Sequence, residues 1–191
     1  MAQVHRLPGR GGERGPDEVL GLADLRLLRR AIHRDPQALT SLWARVVDDA
    51  WSIARALVDE DSALSALAVA REALVVGAPG LSMDARWVEL PYGELYAELR
   101  ERLGLPGTGT LDLSALQDIE PPESPLALNK DSEEARRAVQ CLPPALRLIY
   151  LFTLLTPCRL DGIARFAGAP PSVVRQARTA ATWHVLRELQ K

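Results

Sequence analysis

Aromatic side chains are scarce in this chain, at 5% of its 191 residues. A core must therefore be built mainly from Leu, Ala and Val, a palette that favours helices. Cysteine is nearly absent. Cys141 and Cys158 stand alone in no ligand-spaced cluster, which argues against a zinc site or a disulfide framework and leaves two buried free thiols in a reducing cytoplasm as the expectation. No apolar run approaches the roughly 20 residues that a membrane-spanning helix requires. The opening MAQVHRLPGRGGERGPDE lacks the apolar core of a secretory signal. His5, His33 and His184 lie far apart and in no HExxH-like spacing. LPGRGGERG and LPGTGT follow no strand and close on no Gly-Lys-Ser/Thr, so neither is a phosphate loop. Asp48-Asp49 and Asp59-Glu60-Asp61 lack the alternating oxygen ligands of a cation loop and read as solvated helix ends. These absences remove the sequence signals of an enzyme, a metal and a cofactor together.

What is present is helical periodicity. Hydrophobic residues make up 47% and charged residues 25% of the chain, a globular composition. Residues 1–16, rich in Gly, Arg and Pro, read as a disordered arm. From 17 to 104 the pattern predicts a helical module. Asp17 is placed to cap a first helix through EVLGLADLRLLRRAIHR, and Asp35 followed by Pro36 opens a second. In that second segment Leu39, Leu42, Trp43, Val46, Val47, Ala50, Trp51 and Ala54 recur at three-to-four spacing, which predicts one continuous helix. DEDSALSALAVAREALVVG repeats the pattern up to Gly77, and YGELYAELRERLG predicts a fourth helix stopped by Gly104. Trp43, Trp51 and Trp183 fall on apolar faces, whereas Trp87, between Arg86 and Glu89, reads as exposed. Residues 105–132 are punctuated by Pro and Gly and carry many acids against the single Lys130, the composition of an acidic linker. A second helical module occupies 133–191. No strand pair with hairpin signals appears, so the expected class is all-α, two helical modules joined by an acidic linker.

Net charge is −2, but it is unevenly distributed. From Asp131 onward nine Lys/Arg oppose five Asp/Glu, leaving +4. The preceding residues carry fourteen against twenty, or −6. A basic tail module on an acidic body suits a DNA-facing end and a protein-facing remainder.

The stretch LDGIARFAGAPPSVVRQARTAATWHVLREL, Leu160 to Leu189, has the layout of a helix-turn-helix. Ile163 and Ala164 supply the apolar contacts of its first helix, Gly168 the stop, and Ser172 a cap for the second helix. Val174, Ala177, Ala181 and Leu186 predict a buried stripe that leaves Val173, Arg175, Gln176 and Thr179 nearer the solvent face, with Ser172, Arg175 and Gln176 for base edges and Arg178 one turn on. The same segment also reads as a plain helical hairpin with solvated arginines.

AVQCLPPALRLIYLF together with LDGIARFAGAPPSVV resembles the C-terminal, promoter-binding domain of bacterial sigma factors. AIHRDPQALTSLWARVVDDAWSIARALVDEDSALSALAVAREAL is similar to that family's polymerase-binding helices. ARWVELPYGELYAELRERL is similar to the segment that follows them, with Trp87 near the family's Trp-Leu and Glu98, Leu99 and Arg100 on its Asp-x-Leu-Arg. The length and layout suit the small extracytoplasmic-function class. The resemblance implies a cytoplasmic transcription initiation factor without a reaction of its own. Its partners would be core RNA polymerase, promoter DNA and an anti-sigma protein lying between the modules. It implies base contacts from Ser172, Arg175, Gln176 and Arg178, phosphate contacts from Arg159 and Arg165, and a downstream promoter element met by Trp87 and Arg100.

The chain departs from that pattern in places. Ser62, Ala63, Leu64 and Ser65 replace an acidic run, Glu89 and Glu94 stand where cations or Asn are usual, and Pro91 is expected to interrupt its helix. Ala177 and Ala180 stand where Arg is common. A sigma-like regulator or scaffold that binds protein and has lost promoter melting is therefore the alternative, with an unrelated helical protein behind it.

Overall fold

A computed structural model describes residues 22–81, 86–105 and 132–190. Among them every regular element is a helix: α1 Leu22–Ile32, α2 Pro36–Trp43, α3 Val47–Leu57, α4 Glu60–Gly77, α5 Glu89–Arg102, α6 Ser132–Gln140, α7 Pro144–Leu155, α8 Leu160–Ala167 and α9 Pro171–Gln190. A single 3-10 turn, Ala78–Gly80, follows α4. The expected N-terminal arm, the Asp17 cap and residues 106–131 of the linker lie outside the described residues.

Local chemistry sets the helix ends. Asp35 accepts from the amides of Gln37 at 2.9 Å and Ala38 at 3.2 Å, with Pro36 in the first helical position. Arg30 donates to the same carboxylate at 2.7 Å. That guanidinium, with the amides, holds the Asp35 carboxyl below the usual carboxylate range. Gly104 ends the α5 segment at φ +64. Pro91 does not interrupt α5. It falls in the first turn, where helix amides have no intrahelical partner to lose.

The continuous helix expected from Asp35 to Val58 is two helices, broken over Ala44–Val46. The spacing explains the break. Ala38, Leu42, Val46, Ala50 and Ala54 are all buried and lie four residues apart. Each such step drifts about 40° round a helix of 3.6 residues per turn, so a straight helix would carry the stripe about 160° round its axis. The break resets the stripe so that both helices pack on α4. Tyr92 of α5 then donates its hydroxyl to the carbonyl of Val46 at 3.4 Å.

α4 presents Ala63, Ala66, Leu67, Ala70 and Leu74 to the core. Its small residues let α5 approach closely, and this is the most extensive helix pairing in the fold. Residues 60–80 are, by length and composition alone, long and apolar enough to cross a membrane, contrary to the expectation from the sequence, and a third of that stretch is buried in the fold.

The helices on either side of the linker do not form separate cores. One continuous cluster runs from Leu28 to Ala177, and α3 and α5 pack directly on α7 while α5 also meets α8. A smaller cluster of Ala138, Leu142, Tyr150, Ala181, Val185 and Leu189 joins α6, α7 and α9. Arg147 of α7 closes the Leu-Pro-Pro entry by donating to the carbonyls of Gln140 and Leu142 at the end of α6.

The turn between α1 and α2 carries the only non-glycine residue with positive φ among the described residues, Arg34 at +61. The amide of Asp35 bonds to the carbonyl of Arg30 and that of Arg34 to Ala31, a Schellman closure whose left-handed position normally holds glycine. An L side chain there costs roughly 1–2 kcal/mol, part of which glycine loses again to unfolded-state entropy. Arg34→Gly is therefore expected to stabilise the chain by about 0.5–1 kcal/mol in urea unfolding. Destabilisation would show that the arginine side chain holds the turn.

Candidate nucleic-acid interface

The α8–α9 unit is built outward from α7, whose Leu146, Leu148, Ile149, Leu151 and Phe152 are buried. α8 lays Ile163, Ala164 and Ala167 on that floor. It ends at Gly168, φ +64 and ψ +31, where the amides of Gly168 and Ala169 bond back to Arg165 and Ala164. A left-handed residue is the standard way to stop a helix and redirect the chain, and glycine adopts it without strain. The next helix opens two residues later. The Pro170 carbonyl accepts from the amides of Val173 and Val174, and Pro171 is the first helical residue. Ser172 is thus not the cap expected of it but the second residue of α9, with its side chain exposed.

α9 divides cleanly between core and solvent. Val174, Ala177, Ala181, Val185 and Leu189 are buried. Leu186, expected in this stripe, is half-buried, and Val185 takes its place because it better continues the 3.6-residue period from Ala181. Ser172, Arg175, Gln176 and Thr179 are exposed at helical spacings of three and four, so they share one outward face. Trp183 continues that face, half-buried, and Arg178 is exposed on its flank. Arg175 makes no ion pair among the described residues. Ala177 is 1% exposed and belongs to the core, so an arginine there would not reach a ligand. His184 is half-buried, and its Nε2 has no hydrogen-bond partner.

Arg159 is exposed just before α8. Arg165 is committed elsewhere: it donates to Glu89 of α5 and lies 3.7 Å from Asp161. Arg86 completes the cluster, donating to Asp161 at 2.7 Å and to Glu89 at 3.3 Å. The Arg86 guanidinium holds the Asp161 carboxyl below the usual carboxylate range. Beside these charges, Phe166 of α8 lies so close to α5 that a Cβ on Gly93 would sit 3.1 Å from its ring. Burial pushes the nearby Cys158 thiol up to about 12, so it is inert. Cys141, expected to be buried, is exposed at the end of α6.

No family model and no curated protein matches the chain. The reading of this surface therefore rests on its own geometry.

Of the two residues expected on a downstream promoter element, Trp87 is not presented to solvent. Trp87 is 4% exposed, packed in the core instead of open to a base, and Arg100 is half-buried near Tyr96. Sequence reasoning missed the charge cluster between α5 and α8. The available signal was Glu89 itself, an acid where a cation was expected, but its partner Arg165 stands 76 residues away, and Arg86 and Asp161 are 75 residues apart.

Two outcomes are expected at this joint. Gly93→Leu forces Phe166 and α8 away from α5 and lowers stability by about 1–3 kcal/mol, as overpacking does. Unchanged urea unfolding would mean that the contact is slack. Asp161 has a depressed folded pKa, so its contribution is present above its unfolded value of about 3.9 and lost as pH falls through the folded one. Acid titration of the wild type should therefore loosen the α5–α8 contact below about pH 4, and Asp161→Asn should remove that component of the loss.

Proposed function

We propose that this chain is a divergent transcription initiation factor of sigma type. In this reading α9 enters a DNA major groove and the N-terminal helices dock on core RNA polymerase. The observation that carries the reading is the outward face of α9. A helix opened after a glycine-stopped partner offers Ser172, Arg175, Gln176 and Thr179 to solvent at its N-terminal half. Arg reads guanine bidentately and Gln reads adenine, while the start of a helix favours phosphate through its free amides and dipole. Arg178 and Arg159 add phosphate contacts at the flanks. Any catalysis belongs to the polymerase.

A second reading is favoured by a specific observation. Trp87 lies in the core and Glu89 holds Arg165, so neither the promoter-melting role of that segment nor the phosphate contact of Arg165 is available in this arrangement. A protein-binding regulator that keeps the sigma architecture without opening DNA fits this state. An anti-sigma partner lying between the halves would have to displace the joint of α5 with α8.

Purified core polymerase should bind the full chain and initiate from a cognate promoter. Arg175→Glu should leave polymerase binding unchanged and reduce transcription at least tenfold, since one bidentate base contact is worth about 1–3 kcal/mol. Retained transcription in that variant would remove α9 as the reader. Failure to bind polymerase at modest salt would sink the initiation-factor reading and leave the regulator.

A further inference from the structure

A cleft separate from the α8–α9 unit lies between α2 and the end of α4, with a volume of about 440 Å³. Its walls are Leu39 and Trp43 from α2 and Leu74, Val75 and Val76 from α4. Val76 is 68% exposed and Val75 39%, whereas the other valines among the described residues are buried or half-buried. Pro36 and Thr40 also line it, the two charged residues in the lining are Arg34 and Arg71, and no acidic residue is among them.

Three observations combine here. First, the volume falls within the range of small-molecule sites, about 300–1,000 Å³. Second, neither arginine makes an ion pair among the described residues, so both guanidinium groups are available to an anion. Asp35, the acid adjacent to Arg34, is already taken by Arg30 and two amides. Third, Arg34 holds the left-handed position of its turn, where glycine would be unstrained. Backbone strain kept at the mouth of a cleft is a mark of function when the strained side chain faces a ligand.

We propose that this cleft binds an amphipathic anion, an unbranched acyl or alkyl chain under a carboxylate or phosphate head. The chain lies along Leu39, Trp43, Leu74, Val75 and Val76, and the head is held by Arg34 and Arg71. Apolar walls supply most of the affinity, and the two guanidinium groups set the sign of charge accepted. This inference does not depend on the DNA-reading proposal.

Calorimetric titration of the full chain with decanoate, decyl phosphate and decyltrimethylammonium, each below its micelle concentration, tests it. The expected result is saturable one-to-one binding of at least one of the two anions and none of the cation; which anion binds more tightly identifies the head group. Arg34→Gly and Arg71→Gln should each weaken that binding about tenfold, the effect of one lost charge-assisted contact. Arg34→Gly relieves backbone strain, so thermal melts should show a variant that is folded and no less stable than the wild type. Val76→Asp should weaken binding of the anion similarly. Absence of binding by either anion, equal binding of the cation, or affinity unchanged in both arginine variants would overturn the proposal.

Discussion

Tyr92 and Tyr96 of α5 both meet Phe152 of α7 edge-on, with ring centroids 6.3 and 5.0 Å apart, and Tyr96 reaches on to Phe166 of α8 at 6.3 Å. Edge-to-face pairs contribute beyond the area they bury because ring edge and ring face are oppositely polarised. The chain has two phenylalanines and three tyrosines, so both phenylalanines and two tyrosines sit at this one joint. Elsewhere helices meet mainly through Leu, Ala and Val, which pack at many angles with similar energy, with Tyr150 and the tryptophans as isolated aromatics. The directional contacts are concentrated where residues on either side of the linker come together. They fix α5 against α7 and α8, and through α7 they fix α9.

That placement decides which surfaces are available for binding. α9 rests on α6, α7 and α8 through Val174, Ala177, Ala181, Val185 and Leu189, and its opposite face is left to solvent. α5 lies buried between α4 and the C-terminal helices, which takes Trp87 out of solvent and brings Glu89 to α8. The same packing that presents α9 closes α5. A chain folded this way presents the outer face of α9 to solvent and withholds α5.

Much of this was legible in the sequence, for identifiable reasons. The all-helical class followed from composition and three-to-four spacing. The Asp35–Pro36 start, the Gly168 stop and the solvent face of α9 followed from capping chemistry and a stripe of buried residues that is local by nature. What escaped was non-local. The break between α2 and α3 depends on how far a stripe spaced by fours drifts against α4. The Glu89–Arg165 and Arg86–Asp161 pairs bridge more than seventy residues, and no period in a sequence encodes such a meeting. Ser172 was misjudged by a smaller margin, since two consecutive prolines shift a helix start by a residue or two.

The cations of the C-terminal helices accordingly fall into two sets with different physics. Arg175 faces solvent without an ion pair among the described residues, so a DNA phosphate or base edge meets it at no internal cost beyond ordering the side chain. Arg165 is already neutralised by Glu89 and Asp161, and Glu89 is only 15% exposed at its side chain. Drawing Arg165 onto a phosphate would leave that half-buried carboxylate with Arg86 alone, a penalty that solvent only partly screens. Contacts made by α9 can therefore form with the α5–α8 joint closed, while a contact through Arg165 requires the joint to open. Salt weakens exposed ion pairs and phosphate contacts together, so the two sets respond to ionic strength in opposite senses: the approach of α9 weakens as salt rises, while release of Arg165 becomes easier.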